Sequence, residues 1–426
     1  MNQMEAERKM ERAVLVGLSC PNFTAEQDTD ERTLDELRAL AETAGAETVA
    51  QALQRRPAPD ARTFIGEGKA EEVKQLAEAN EADLIIFDNE LSPSQMRVLE
   101  EITGRTVLDR SGLILDIFAQ RARTGEGKLQ VELAQYQYIL PRLAGLGKSM
   151  SRLGGGIGTR GPGESKLESD RRHIRRRIDK LKADLEQVRQ VRAVQRRQRK
   201  KTETPLVAIV GYTNAGKSTL LNTLTGAGIE ANDRLFDTLD PTTRKKRISD
   251  TQEVLLSDTV GFIRKLPHEL VKAFRATLEE AKLADVLVIV SDGADPELAS
   301  RPQTVLEVLD SLGATEAPRI DALNKCDLFA ENQDLLPGAV RMSAVTGENV
   351  EELLLRVEKE LDAGTQEVRL LIPFSNYGLL SRLHGMGSVL SQEHCETGVT
   401  VLVKMDAENV KFVCKEGATV LDDERN

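Results

Sequence analysis

The stretch LVAIVGYTNAGKST (206–219) constrains the fold of this chain more than any other. An apolar run leads into a glycine-rich turn that matches the pattern Gly-x4-Gly-Lys-Ser, and the residues after the turn suit the start of a helix. In such a loop, main-chain N–H groups surround a nucleotide β-phosphate at a helix N-terminus. Lys217 is expected to reach the β- and γ-phosphate oxygens, and Ser218 is expected to ligate Mg²⁺. The stretch therefore predicts a nucleotide-binding α/β domain, because the apolar strand before the pattern makes an accidental match rare.

The tetrapeptide NKCD (324–327) indicates which base is bound. Asp327 can accept hydrogen bonds from guanine N1–H and from its exocyclic amine, whereas adenine has an acceptor at N1 and would leave the carboxylate unpaired. Lys325 is expected to pack along the base, and Ser343 and Ala344 are expected to supply a main-chain donor for guanine O6. Four residues alone are a weak signal, but their position downstream of the P-loop and of DTVG (258–261) favours GTP over ATP.

The segment LSDTVGFIR (256–264) raises the question of how the water that attacks the γ-phosphate would be oriented. Asp-x-x-Gly at the end of an apolar strand senses the γ-phosphate, and in Ras-type GTPases a Gln follows and orients the attacking water. Phe262 stands there instead, and it neither accepts nor donates a proton. We therefore expect slow intrinsic hydrolysis and a partner that completes the site. The cations Arg264 and Lys265 are expected to place this segment against that partner.

Metal-ion candidates lie on both sides of the P-loop helix. A switch I threonine must close over Mg²⁺ and the γ-phosphate, and FDTLDPTTR (236–244) offers Thr238, Thr242 and Thr243. Spacing alone does not choose among them. Asn214 is a candidate ligand for K⁺ near the β–γ bridge, where the ion would neutralise developing charge as an arginine finger does. The alternative is that Asn214 is a loop-stabilising amide.

Length and composition limit the class of protein. A chain of 426 residues is too long for one core. No apolar run approaches the ~20 residues of a membrane span, and the charged N-terminus lacks a signal peptide's apolar stretch. Four scattered cysteines make neither a disulfide framework nor a zinc site. We therefore expect a cytoplasmic protein with reduced thiols and no integral membrane contact.

The hydrophobic pattern predicts a multidomain α/β protein. Alternating strands and helices indicate an N-terminal parallel α/β domain (1–109). Two apolar seams then predict an α-helical hairpin (110–203), the alternative being two unrelated amphipathic helices. The P-loop GTPase domain (204–363) and a small C-terminal α+β domain (364–426) follow. The seam residues are Leu129, Leu133, Tyr136, Leu140 and Leu143 in one helix, and Ile174, Ile178, Leu181, Leu185 and Val188 in the other.

Charge is distributed unevenly along the chain. The formal net charge is −11, but residues 160–201 hold 16 Lys and Arg against 6 Asp and Glu. A long glycine-rich loop (144–166) with four cations overlaps the start of this basic segment. Loops of this length are usually functional or disordered. Glycines allow close main-chain approach, and cations suit phosphates. The pattern predicts a contact with a polyanion. The alternatives are that the loop is a flexible tip without a partner and that the basic run is a solvated helix face.

These motifs together resemble the HflX GTPases, which act on the large ribosomal subunit. The resemblance covers nearly the whole chain, and GGGIGTRGPGE (154–164) is particularly specific. It also includes FIGEGK (64–69), ILDIFAQRA (114–122), KLQVELAQ (128–135), GYTNAGKST (211–219), DPTTR (240–244) and DTVGFIRKLPH (258–268). The chain departs from the family at Asp237, where Ala is more common, and at Phe64, where Tyr is frequent.

The resemblance implies a ribosomal function and completes the list of site residues. It implies that Thr238 is the switch I ligand of Mg²⁺ beside Ser218, and that Lys217, Thr238 and Gly261 act in hydrolysis. It also implies a monomer that binds GTP or GDP and the RNA and proteins of the large ribosomal subunit, but no DNA, and that rescues or dissociates ribosomes or assists subunit maturation. The expected nucleotide contacts are Gly211, Tyr212, Thr213, Asn214, Ala215, Gly216, Lys217, Ser218, Thr219, Phe236, Asp237, Thr238, Leu239, Asp240, Asp258, Thr259, Val260, Gly261, Asn324, Lys325, Asp327, Ser343 and Ala344.

Two alternatives remain open at this level. One is a nucleotide-switched module that binds a protein partner, with hydrolysis incidental. The other is an ATP-driven RNA-remodelling activity of the N-terminal domain, whose GEGK (66–69) precedes a helix and could hold a phosphate. An ordinary turn and helix cap explain GEGK more simply.

Overall fold

The structure is a computed structural model of the chain. It describes residues 10–24, 27–143, 162–200, 204–226, 235–236, 242–249, 252–265, 280–295, 298, 301–314, 317–329, 336–383 and 386–421. The chain divides into two compact units. The first comprises Met1–Val188, Asn232–Asp240 and Ile263–Arg275, and the second comprises Arg189–Ala231, Pro241–Phe262 and Ala276–Asn426.

The first unit contains the predicted parallel sheet. Its elements are, in chain order, β1 (Glu11–Ser19), α1 (Glu31–Ala44), β2 (Ala46–Arg55), α2 (Glu67–Ala79), β3 (Leu84–Phe87), α3 (Pro93–Thr103), β4 (Thr106–Asp109) and α4 (Arg110–Arg121). The strand order is β2-β1-β3-β4, and every pairing is parallel. The chain therefore winds to one side after β1 and to the other side after β3. Apolar side chains of β1 and β3, such as Val14, Val16, Ile85 and Phe87, form the core.

Short polar signals set where these helices begin. Asp30 accepts a hydrogen bond from the N–H of Thr33 at 2.8 Å, which caps α1. Asp109 accepts from the N–H of Gly112 at 2.9 Å and caps α4. The alternation of strands and helices up to β4 is confirmed. Helix α4 was not among the predicted elements, because it follows β4 without a turn and is buried on most of its surface.

Two long helices follow in the first unit, α5 (Gly125–Leu143) and α6 (Pro162–Lys200), the second of which continues into the second unit. They pack along the predicted seam, with a buried centre of Leu133, Ile178 and Leu181. Arg177 and Glu132 join them through two hydrogen bonds of 2.8 and 2.9 Å. At the other end of α5, the Tyr138 hydroxyl donates to Asp109 at 2.7 Å, which ties the helix to the end of β4. Most of the glycine-rich loop (144–161) lies outside the described residues.

The second unit is built on a six-stranded sheet. Its elements are β5 (Leu206–Gly211), α7 (Lys217–Thr225), β6 (Thr242–Arg247), β7 (Glu253–Asp258), β8 (Val286–Asp292), α8 (Arg301–Leu312), β9 (Arg319–Asn324), β10 (Val340–Arg341) and α9 (Val350–Asp362). The strand order is β10-β9-β8-β5-β7-β6, with only β6 antiparallel to its neighbour. The loop that follows the central, buried strand β5 lies at the carboxyl edge of the sheet. Ligands bind at this edge in such folds.

A smaller antiparallel sheet ends the second unit. Its elements are β11 (Thr365–Pro373), α10 (Gly378–Leu383), β12 (Ser388–Cys395), β13 (Gly398–Asp406), α11 (Ala407–Lys415) and β14 (Thr419–Leu421). The strand order is β12-β13-β11-β14. The predicted α+β character is confirmed, and β12 and β14 add two strands that were not predicted. Among the helices that the structure describes, none has the length and apolar character needed to cross a bilayer.

Candidate guanine-nucleotide site

The loop between β5 and α7 has the local geometry that its glycines require. A Cβ on Gly211 would lie 2.2 Å from the carbonyl oxygen of Val290, so only glycine fits there. Gly216 has φ 92° at the N-cap of α7, and Asn214 has φ 62°, a left-handed conformation that Asn tolerates better than most residues. The predicted P-loop is thus built as a turn that ends on a helix N-terminus.

Lys217 lies across this loop. Its side chain is buried, and its Nζ donates a hydrogen bond to the carbonyl oxygen of Tyr212 at 2.8 Å. Burial lowers the pKa of Lys217 to about 8, and the nearby carboxylate of Asp258 acts in the opposite direction. An ammonium group held in a buried loop is suited to bind phosphate oxygens, which would offset its desolvation.

Two candidate oxygen ligands for a metal ion meet where β7 ends and α7 begins. The Ser218 hydroxyl donates to Asp258 Oδ2 at 2.6 Å, and Asp258 is fully buried. Mg²⁺ prefers oxygen ligands and is usually held by one or two protein groups together with substrate phosphates. The pair fits this ion, although no cluster of three or more His, Cys, Asp or Glu occurs among the residues described.

The tetrapeptide NKCD, predicted to bind the base, is held by a network that links three loops. Asn324 Nδ2 donates to the carbonyl oxygen of Ala215 at 2.8 Å, while its Oδ1 accepts from the N–H of Ala344 at 2.9 Å. Asn324 thus positions the P-loop and the Ser343–Ala344 loop. Lys325 Nζ is 2.7 Å from Asp292 Oδ2, a partner that sequence reasoning missed. The signal for it was an Asp at the end of the neighbouring strand β8.

The predicted donor for guanine O6 is already engaged within the protein. The N–H of Ser343 donates to the carbonyl oxygen of Glu348 at 3.1 Å, and the N–H of Ala344 donates to Asn324. A bond from either group to guanine would have to be shared or exchanged. The side chain of Asp327 is exposed in the short 3₁₀ turn Cys326–Leu328, where a base can reach it.

The DTVGF segment packs tightly against the P-loop. A Cβ on Gly261 would lie 2.8 Å from Thr213 Cγ2 and 3.0 Å from Lys217 Nζ. The side chain of Thr259 is turned away from the loop, because its hydroxyl donates to the carbonyl oxygen of Ile209. Val260 is buried. In this segment, the main chain of Gly261 therefore lies beside Lys217 Nζ.

The switch I candidates separate into two groups. Thr242 and Thr243 belong to β6 and pair with Asp258 and Ser257 of β7, so they are held in a sheet. The residues 237–240, with Thr238 among them, lie outside the described part of the chain. Phe236 is described, and its ring is buried in a T-shaped contact with Phe118 at 4.8 Å between centroids. Its side chain is therefore a packing group, which the sequence alone did not indicate.

One expectation about the segment after DTVG is wrong. Lys265 was expected to face a partner, but its side chain is only 8% exposed and is paired with Asp88. Both residues belong to the first unit. The physical reason is that Asp88, at the carboxyl end of a buried strand, needs cations close by.

The fold and this site define a P-loop GTPase. Three family models match the chain: "GTP-binding GTPase N-terminal" at 31–119, "GTP-binding GTPase Middle Region" at 121–199 and "50S ribosome-binding GTPase" at 206–325. The GTPase HflX of Caldanaerobacter subterraneus is 48% identical over 95% of this chain and 93% of its own length. The GTPase HflX of Escherichia coli is 41% identical over 97% of both chains. The chain belongs to the HflX family of GTPases.

The solved structures similar to this chain include the "crystal structure of SsGBP and GDP complex". It is 28% identical, with a TM-score of 0.47, and the match covers 82% of this chain and 98% of that chain. All four cysteines of the present chain are free thiols in this structure.

Proposed function

We propose that this GTPase requires Mg²⁺, binds the large ribosomal subunit in its GTP state and hydrolyses GTP there. Its task would be to rescue or dissociate ribosomes or to assist subunit maturation, as a monomer in the cytoplasm. The observation that carries the proposal is the exposed basic surface of α6. One of the matching family models is also described as a ribosome-binding GTPase.

This surface consists of Arg172, Arg175 and Arg176, whose side chains are exposed. By contrast, the adjacent Arg177 is committed to Glu132 on α5 and serves the packing of the two helices. Exposed arginines that do not hold two helices together suit RNA phosphates, which they can bind in a bidentate manner. In a chain of net charge −11, such a cluster favours a polyanion as the partner.

The proposed roles in hydrolysis follow from the site. Lys217 would bind the β- and γ-phosphates, and the main chain of Gly261 would sense the γ-phosphate. Ser218 and Thr238 would ligate Mg²⁺, which would supply positive charge to offset the negative charge of the phosphates. Because Phe262 cannot orient water, the partner would bring water and catalytic groups into line.

The ATP-dependent alternative is not favoured by the contacts of GEGK. The N–H of Gly66 donates to Gln54 Oε1 at 2.9 Å, and α2 begins at the next residue. The N–H of Gly66 is therefore already bonded within the first unit, and the side chain of Lys69 is paired with Glu72. A protein partner in place of the ribosome remains the alternative that the experiment must exclude.

Co-sedimentation with purified large subunits tests the proposal. Replacing Arg172, Arg175 and Arg176 by Gln should weaken association and flatten its salt dependence, by about one unit of slope for each phosphate that the variant no longer neutralises. The matched control replaces Lys245, Lys411 and Lys415, three exposed cations of the second unit, by Gln. GTP binding should survive in both variants. An unchanged affinity and salt slope in the arginine variant would refute the assignment of this surface.

A further inference from the structure

The first unit has buried polar and charged side chains at the place where ligands bind in other doubly wound folds. Between β1 and β3 the direction of winding reverses, and the crevice outside the carboxyl ends of such strands is a general ligand site. Here its wall carries Asp88, which follows β3 directly and is fully buried. Thr29 is also fully buried and donates to Asp88 Oδ2 at 2.8 Å. The crevice is therefore polar and negatively charged.

The crevice is occupied by the chain itself. Lys265 Nζ donates to Asp88 Oδ2 and, at 3.2 Å, to Thr29 Oγ1. Arg110 Nη1 lies 2.7 Å from Asp88 Oδ1, and its Nη2 donates to the carbonyl oxygen of Arg264 at 3.1 Å. The main chain of Arg264 and the side chain of Lys265 are thus both bound by the same charged cluster, the first through Arg110 and the second through Asp88.

The charges in this cluster are balanced. Two cations, Lys265 and Arg110, face two carboxylates, Asp88 and Glu36, with Arg110 Nη2 at 3.0 Å from Glu36 Oε2. Burial acts to raise the pKa of Asp88, but the two cations outweigh it, so this pKa lies below its usual value. Removing one member leaves uncompensated buried charge, so docking of Lys265 is specific.

A second contact joins the other nucleotide-sensing segment to the same unit. Phe236, in the switch I region, packs edge-on against Phe118 of α4 at 4.8 Å. Residues Asn232–Asp240 and Ile263–Arg275 both belong to the first unit, although the sequence on either side of each belongs to the second. The first unit thus holds parts of both segments that are expected to respond to the γ-phosphate.

We propose that this crevice is a docking site for the chain's own Lys265, and that docking favours the GDP state over the GTP state. The charged cluster takes the place of a small-molecule site and restrains the segment that follows DTVG (residues 263–265). Nucleotide exchange at the P-loop and the occupation of the crevice would then be linked equilibria, and each would shift the other by the same factor.

The sign of the coupling follows from the space beside Lys217. The main chain of Gly261 leaves little room there, since a Cβ on it would be 3.0 Å from Lys217 Nζ. A third phosphate bound by Lys217 would lie in this space, so we infer that the segment shifts when the phosphate binds. Phe262 follows directly, and the chain passes into the first unit after it. A shift at Gly261 consequently strains the docked position of Lys265, four residues further on.

Lys265→Met tests the coupling in the full chain without ribosomes. The change removes the ammonium group and leaves one negative charge uncompensated, but Asp88 stays paired with Arg110, so the unit is expected to fold with a lower stability. The control is Lys74→Met, a half-exposed lysine on α2. The affinities for GDP and for a non-hydrolysable GTP analogue are measured by titration. Amide hydrogen exchange of residues 263–265 is measured in the GDP-bound protein.

We expect Lys265→Met to favour the GTP analogue over GDP by at least about threefold relative to the native protein. Exchange at residues 263–265 should rise in the variant and remain native in the control. In an Asp88→Asn background, Lys265→Met should add nothing further, since its partner is gone. A native affinity ratio, a shift towards GDP, or unchanged exchange at residues 263–265 would overturn the proposal.

Discussion

The carbonyl oxygen of Phe262 accepts a hydrogen bond from the N–H of Thr213 at 2.7 Å. The N–H of Phe262 donates in turn to the carbonyl oxygen of Gly211 at 3.1 Å, so this residue bridges to the P-loop like a short strand. Its ring is 1% exposed. The residue that replaces the water-orienting Gln is thus a packing and anchoring residue, and its position supports the proposal that a partner completes the site.

Replacing Phe262 by Gln should not restore fast intrinsic hydrolysis. The main-chain bonds direct this side chain into the core, where an amide without partners costs about 1–3 kcal/mol. We expect single-turnover hydrolysis no faster than that of the native protein, and a lower thermal midpoint. Phe262→Leu, which keeps the site apolar, is the control and should lose less stability. Rapid hydrolysis by the Gln variant alone would contradict this role.

Guanine selectivity should depend on Asp327. Asp327→Asn replaces an acceptor by an amide that matches xanthine, so GTP affinity should fall by more than about tenfold and xanthosine triphosphate should bind better. Competition binding with labelled nucleotide measures both. Asp310→Asn, at an exposed position of α8, should leave both affinities native. If GTP binds Asp327→Asn normally, Asp327 is not in the site.

Gly261→Ala should block the response to the third phosphate. The new methyl group would meet Thr213 and Lys217 Nζ at 2.8 to 3.0 Å, so the segment could not keep its present position. We expect GTP hydrolysis to fall by at least about tenfold, with a smaller change in GDP affinity. Gly364→Ala is the matched control, because a Cβ there meets no atom within 4 Å. Equal hydrolysis in the two variants would show that Gly261 has no such role.

Potassium dependence should reside in the amide of Asn214. Asn214→Gly keeps the positive φ of 62° and removes only the side chain. We expect turnover in potassium to exceed that in sodium by about tenfold in the native protein, and this difference to vanish in the variant. Asn349→Gly, at another left-handed position, should behave as the native protein does. Equal native turnover in both salts would leave Asn214 as a loop-stabilising residue.

What could be predicted from the sequence depended on how local the signal was. The P-loop, NKCD and the strand-helix alternation are contiguous patterns, because a phosphate-binding turn or a buried parallel strand is specified by adjacent residues. The seam of α5 and α6 was predicted from helical spacing. The pair of Lys265 and Asp88 lies 177 residues apart, and nothing in either neighbourhood indicated the other. The contact of Phe236 with Phe118 was unforeseen for the same reason.

The direct test of the central claim is the rate of GTP hydrolysis with and without purified large ribosomal subunits. At saturating GTP and Mg²⁺, we predict that large subunits raise turnover by at least about tenfold, which corresponds to about 1.4 kcal/mol off the barrier. The variant that lacks Arg172, Arg175 and Arg176 should need more subunits to reach the same rate. Rapid turnover by the protein alone, unaffected by added large subunits, would contradict the account.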